Sequence, residues 1–189
     1  MVATGLLVGL VRPARIVLPP RLLGLTCAGT VCTDEPDRLP EAQALYAAAL
    51  AADITRLGAV APVRRVVLCT SEACFRTFTG GGATATTIAD LGIVVGPSGW
   101  QEFYVRHELV HHWQARELGL LARYRDPRWL VEGMAYALSD DPRPTLVEPN
   151  QAYRTRFLAW YAGVGPTRLW AAADGPAGGP VSGRRGQVR

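Results

Sequence analysis

The sequence predicts an α+β fold: a single domain in which a small, mostly antiparallel sheet packs on one long helix, followed by a helical C-terminal part. Three observations carry that expectation. β-branched runs cluster in the middle of the chain, at Val63 to Thr70, Thr84 to Ile88 and Gly92 to Gly96. Helical periodicity occupies the segments on either side of them. The 189 residues, 49% hydrophobic and 19% charged, suffice for one well-buried core and not for two ordinary ones.

In chain order, Leu6 to Val11 is apolar but short, with no basic residue before it and Arg12 after it. It is neither a membrane span nor a complete signal peptide, and residues 1–14 are set apart as an apolar N-terminal segment ahead of a domain over 15–173. Arg15 to Leu25, with Pro19 and Pro20 at its middle, reads as an extended segment or edge strand. A core helix is expected from Pro40 to Leu57, where Gly58 offers a left-handed stop. Its buried stripe is Tyr46, Leu50, Ile54 and Leu57, and it carries no chemistry.

Val63 to Thr70 is the strongest strand pattern in the chain. Gly80, Gly81 and Gly82 resemble a phosphate cradle, yet no lysine follows, so they read as a loop or hairpin connection. Two further strands, Thr84 to Ile88 and Gly92 to Gly96, complete the sheet. Cys27 and Cys32 have the same spacing as Cys69 and Cys74, which suits two local disulfides in an oxidising compartment. Free buried thiols and a four-thiolate metal site are the alternatives. The disulfide reading favours a secreted or cell-envelope location.

A helix from about Trp100 to Leu118 carries the segment HELVH, His107 to His111. Residues four apart lie about 40° apart around a helix, so these two imidazoles project from one face and can share a metal ion. Zinc takes imidazole nitrogen readily, and a catalytic zinc uses three protein ligands and a water, for which Glu108 stands adjacent as a base. The chain has three histidines in all, and the third, His112, lies roughly 140° around the axis from His107 and reads as structural.

Gly119 closes this helix. Asp126 as N-cap and Pro127 at the first position then start a helix running to about Ser139. On it Glu132 lies in an otherwise apolar run, WLVEGMAYAL, and Gly133 removes a side chain where the helix would approach the histidine helix. Asp140 and Asp141 end it, either as solvated residues or as hydrogen-bond partners to the outer nitrogen of a ligand histidine. A helix from Asn150 to Tyr161 and a shorter one near Pro166 to Ala173 follow. From Asp174 the glycine- and proline-rich composition predicts a disordered tail, 174–189.

HELVH followed by WLVEGMAYAL resembles the gluzincin branch of the zincin metallopeptidases, over roughly Val63 to Pro142. The resemblance implies a zincin-like fold, with Zn2+ held by His107, His111 and Glu132 and with Glu108 as the catalytic base. It also implies an extended peptide or protein substrate laid along a strand of the upstream sheet. No third histidine follows as in metzincins, and no GAMEN-type element appears as in aminopeptidases of this branch. The donor to the oxyanion would come from Tyr153, ahead of Tyr136 and Tyr161. A competing reading keeps the fold and metal but makes the domain a binding or regulatory module with little turnover. The net charge of +4 does not point to nucleic acid, since Arg184, Arg185 and Arg189 lie in the tail and the other basic residues form no run.

Overall fold

The computed structural model of the chain describes residues 11–58 and 62–175. Most of the N-terminal segment 1–14 and of the tail 174–189 lies outside them. Arg15 to Leu25 is not extended as expected: it forms two 3-10 turns, Arg12–Val17 and Pro20–Leu23, each opened by a proline in its first turn. The fixed φ of proline suits a tight turn as well as a strand. Ile16 and Leu25 are buried here, and Arg65 donates to the carbonyls of Ile16 and Leu18, tying the segment to the sheet.

The sheet has five short strands: β1 (Thr26–Ala28), β2 (Val31–Thr33), β3 (Val66–Leu68), β4 (Ala85–Ile88) and β5 (Gly92–Val95), in the order β1-β2-β3-β5-β4. It is mixed, which corrects the mostly antiparallel sheet expected. The hairpins β1/β2 and β4/β5 are antiparallel, but β2/β3 and β3/β5 are parallel. The cause is the helix α1 (Leu39–Leu57) between β2 and β3, since a crossover of that length returns the chain in the same direction. Cys27 and Cys32 face each other across the β1/β2 hairpin and are disulfide-bonded; Cys69 and Cys74 form a second disulfide between the end of β3 and the helix α2 (Glu72–Phe78).

The two central strands are buried on both faces, which explains their unbroken apolar runs. Val66, Leu68, Ile93 and Val95 point into one core with Tyr46, Val105 and Leu109, while Val67 and Val94 point into another with Ile16, Phe75 and Phe78. Helix α1 packs on the first face, but with Ala42, Tyr46, Ala49 and Asp53 inward. Ile54 is 39% exposed, so the stripe is rotated by about one residue from the expected one, and a carboxylate enters the core.

Helix α3 (Glu102–Glu117) carries HELVH and packs between the sheet and a third core. Gly119, at φ +95°, ends it, and a short helix α4 (Ala122–Arg125) leads to α5 (Arg128–Leu138). Asp126 is not the N-cap expected: its carboxylate takes the guanidinium of Arg125, and Pro127 precedes the helix and accepts from Leu130 and Val131 through its carbonyl. Helices α6 (Asn150–Val164) and α7 (Leu169–Ala173) close the third core around Phe157. Gly133 is required at the α5/α6 crossing rather than against α3. A Cβ there would sit 2.4 Å from the carbonyl oxygen of Tyr153 and 2.9 Å from Phe157 Cβ. No helix among the described residues is long and apolar enough to cross a membrane.

Candidate metal centre

His107 and His111 leave the same face of α3, one turn apart, and α5 brings Glu132 to meet them. The two Nε2 atoms are 3.1 Å apart, and the Glu132 carboxylate lies 3.7 Å from that of His107 and 3.6 Å from that of His111. These three atoms form a group able to hold a metal ion. A four-coordinate ion bound at ~2.0–2.2 Å holds neighbouring ligand atoms roughly 3.3–3.6 Å apart, so the triangle is of the right size.

The hydrogen bonding of Gln114 fixes the tautomer of His111. Its Nε2 donates to the carbonyl of Val131 at 2.9 Å, which turns its Oε1 toward His111 Nδ1 at 2.8 Å. An amide oxygen only accepts, so Nδ1 carries the proton and the lone pair of Nε2 is left aimed at Glu132 and His107. Gln114 therefore takes the role that one of two readings assigned to Asp140 or Asp141, the other being a solvated helix end. Those aspartates are engaged elsewhere, Asp140 by Arg56 and Arg106 and Asp141 by Arg143. Gln114 also joins α3 to α5 one residue before the carboxylate it helps to place.

The electrostatics of the cluster favour a charged His111, in which Nε2 also carries a proton and donates to Glu132, and a metal ion would take the place of that proton. Burial alone would raise the Glu132 carboxyl, but hydrogen bonds from His107 and His111, with their charge, outweigh it and hold the group far below the ordinary carboxylate range. Burial disfavours a charged His111, yet its hydrogen bond with Glu132 and the charges of Glu108 and Glu132 raise it overall. The cluster thus attracts positive charge. Arg128 reaches the other oxygen of Glu132 at 3.2 Å.

Glu108 is buried, and its carboxylate meets the hydroxyl of Thr87 from β4 at 2.7 Å. The same hydroxyl lies 2.7 Å from the backbone carbonyl of Glu108. One hydroxyl proton is shared between the two acceptors. A cleft of about 360 Å³ opens over the cluster, with Thr86 and Thr87 on one side and Tyr136 and Arg143 on the other; His107, His111, Glu108 and Glu132 all line it. The ring of Tyr136 stands 4.5 Å from that of His107, and its hydroxyl accepts from Asn150 at 3.1 Å. Tyr153 does not line the cleft. It packs into the helical core, where its backbone lies over Gly133. His112 is fully buried on the back of α3.

The sequence brings together four of its five expected site residues here, His107, Glu108, His111 and Glu132, and leaves Tyr153 outside. Thr87 and Gln114 were missed, and Tyr136, which lines the cleft, was placed behind Tyr153. Gln114, three residues after His111, shares its face and was open to detection by helical spacing; Tyr136 stands one turn beyond Glu132 on the same grounds. Thr87 gave no signal beyond its β propensity. Comparison of the chain with protein-family models, with curated proteins and with solved structures finds no match.

Proposed function

We propose that the chain is a zinc-dependent peptidase of gluzincin type, acting on peptide or protein substrates in an oxidising compartment outside the cytoplasm. The observation that carries this reading is the meeting of two imidazole nitrogens and one carboxylate at a cleft floor beside the buried Glu108. Two nitrogens and one oxygen make up a donor set that zinc uses in catalytic sites, where one position stays open. A zinc ion held by His107, His111 and Glu132 would polarise a substrate carbonyl and acidify water.

The remaining steps belong to side chains. Glu108 accepts a proton from water and passes it to the departing amine, while Thr87 steadies its carboxylate at the cleft wall. Tyr136 replaces Tyr153 as the candidate donor to the developing oxyanion. Asn150 donates to its hydroxyl oxygen, which leaves the hydroxyl proton of Tyr136 free to point into the cleft. Edge strand β4 supplies backbone groups for an extended peptide. The two disulfides support the oxidising compartment.

The experiment is metal analysis of the purified chain together with hydrolysis of a casein or peptide mixture by the chain and by Glu108→Gln. One zinc per chain in both proteins, with hydrolysis lost at least a hundredfold in the variant, is expected. Equal hydrolysis by the two proteins, or none by either with zinc bound, rejects the reading.

A further inference from the structure

Two cations line the cleft, Arg123 and Arg143, and they differ in their state of pairing. Arg143 is gripped by both oxygens of Asp141. Arg123 has no carboxylate partner among the described residues. Its Nη1 donates to the carbonyl of Thr87 at 3.2 Å, and the side chain is exposed. A guanidinium offers five N–H groups, so most of its donor capacity stays open toward the cleft.

The position of that hydrogen bond matters because β4 is an edge. In an antiparallel pair the backbone groups of successive residues point alternately to the partner and away from it. Gly96 donates to the carbonyl of Thr84, so Thr84, Thr86 and Ile88 face β5, and Ala85 and Thr87 face outward. The Arg123 contact with the Thr87 carbonyl agrees with that alternation. An extended ligand pairing with β4 would find both backbone groups of Ala85 and the N–H of Thr87, and would then meet the guanidinium. Beside this point a small nook opens between His111, Gln114, Leu120 and Arg123.

We propose that Arg123 is the specificity residue of the cleft and receives a carboxylate of the substrate, at the point where the open part of the edge strand ends. This deepens the peptidase reading and rests on it for the ligand being a peptide. The carboxylate is either an acidic side chain or a chain terminus, and both present the same planar acceptor to a guanidinium.

The probes are fluorescein-labelled, C-terminally amidated peptides that differ in carrying Glu or Gln at successive positions, together with the Gln peptides bearing a free C-terminus. Binding is read by fluorescence anisotropy on the zinc-loaded Glu108→Gln chain, and cleavage by mass spectrometry on the unaltered chain. A carboxylate in one placement should tighten binding at least about tenfold, as expected of a charge-assisted hydrogen bond. Adding Arg123→Gln should erase that preference, and Arg123→Glu should turn it toward Lys. A preference seen only with Glu identifies the side chain, and one seen only with the free terminus identifies an exopeptidase-type ligand. Equal binding of all probes, or a preference that survives Arg123→Gln, overturns the assignment. Cleavage without an acid preference rejects the role of Arg123 and keeps the peptidase; an Arg123-dependent acid preference without cleavage does the reverse.

Discussion

The guanidinium of Arg106, one residue before His107, is bound at 2.8 Å to the carboxylate of Asp53, which solvent does not reach. Its other nitrogens meet Asp140 at 2.8 Å and the carbonyl of Leu138 at 3.0 Å, and Arg56 takes the same two acceptors. Two cations thus close the C-terminal end of α5, where the helix dipole and the unpaired carbonyls favour positive charge. The helix carrying Glu132 is fastened to the helix carrying the histidines by a network that never enters the cleft.

That network makes stability depend on pH in a direction opposite to most carboxylates. Burial pushes the Asp53 carboxyl up to about 7, against the hydrogen bond and charge of Arg106. The folded chain then holds this proton more tightly than the unfolded chain. Its contribution is fully present below the unfolded value of 3.8 and is lost as pH rises toward about 7. Urea unfolding of the wild type and of Asp53→Asn between pH 4 and 8 should diverge, the wild type losing up to a few kcal/mol relative to the variant. Parallel curves would show that Asp53 is ionised throughout.

Metal affinity should rank the residues around the cluster. On the proposed ligand set, Glu132→Ala should lower zinc affinity far more than Gln114→Ala, which removes the partner of His111 Nδ1 and should cost about 10- to 100-fold. Asp141→Ala, whose carboxylate serves Arg143, should leave affinity unchanged. Titration against a competing chelator measures all three, and an unaltered Glu132→Ala would remove that residue from the centre.

The two tyrosines separate by activity. Tyr136→Phe should lower kcat about 10²- to 10³-fold with little change in KM, as loss of an oxyanion donor does. Tyr153→Phe should stay within a few-fold of wild type. The reverse order would restore Tyr153 to the site.

Gly133→Ala tests the α5/α6 crossing. Its new methyl meets backbone rather than a flexible side-chain end, so helix α6 must shift, at a cost of about 1–3 kcal/mol. Thermal unfolding reads the loss, and a variant as stable as wild type would mean that the helices part without strain.

The elements legible in the sequence were those with local signals. Pro40 and Gly58 bracket α1, Gly119 stops α3, and the spacing of His107 and His111 fixes the direction of both imidazoles. What escaped depends on the partner met after folding. Asp53 gave no hint of burial because its counter-charge, Arg106, is 53 residues away in the chain. Gly133 correctly signalled a close approach, but glycine does not name the helix that approaches. Asp126 and Pro127 together read as a cap, until Arg125 competed for the carboxylate. The parallel pairing of β2 with β3 follows from the helix between them, a topological inference that strand propensity alone does not make.

The two disulfides each span five positions, one across the β1/β2 hairpin and one from the end of β3 to α2. Closing loops so short restricts the unfolded chain modestly, by about 2 kcal/mol each in the chain-entropy picture. Neither reaches the layer of α3 and α5. A bound ion at His107, His111 and Glu132 would be a removable cross-link there, closing a loop of more than twenty residues between α3 and α5. Through mass action, a thousandfold excess of free metal over its dissociation constant adds about 4 kcal/mol to the folded state. With an ion bound, the molecule would divide into one layer pinned by covalent bonds and another whose cohesion answers to metal supply, so that chelation would loosen α3 and α5 while the oxidised sheet keeps its shape.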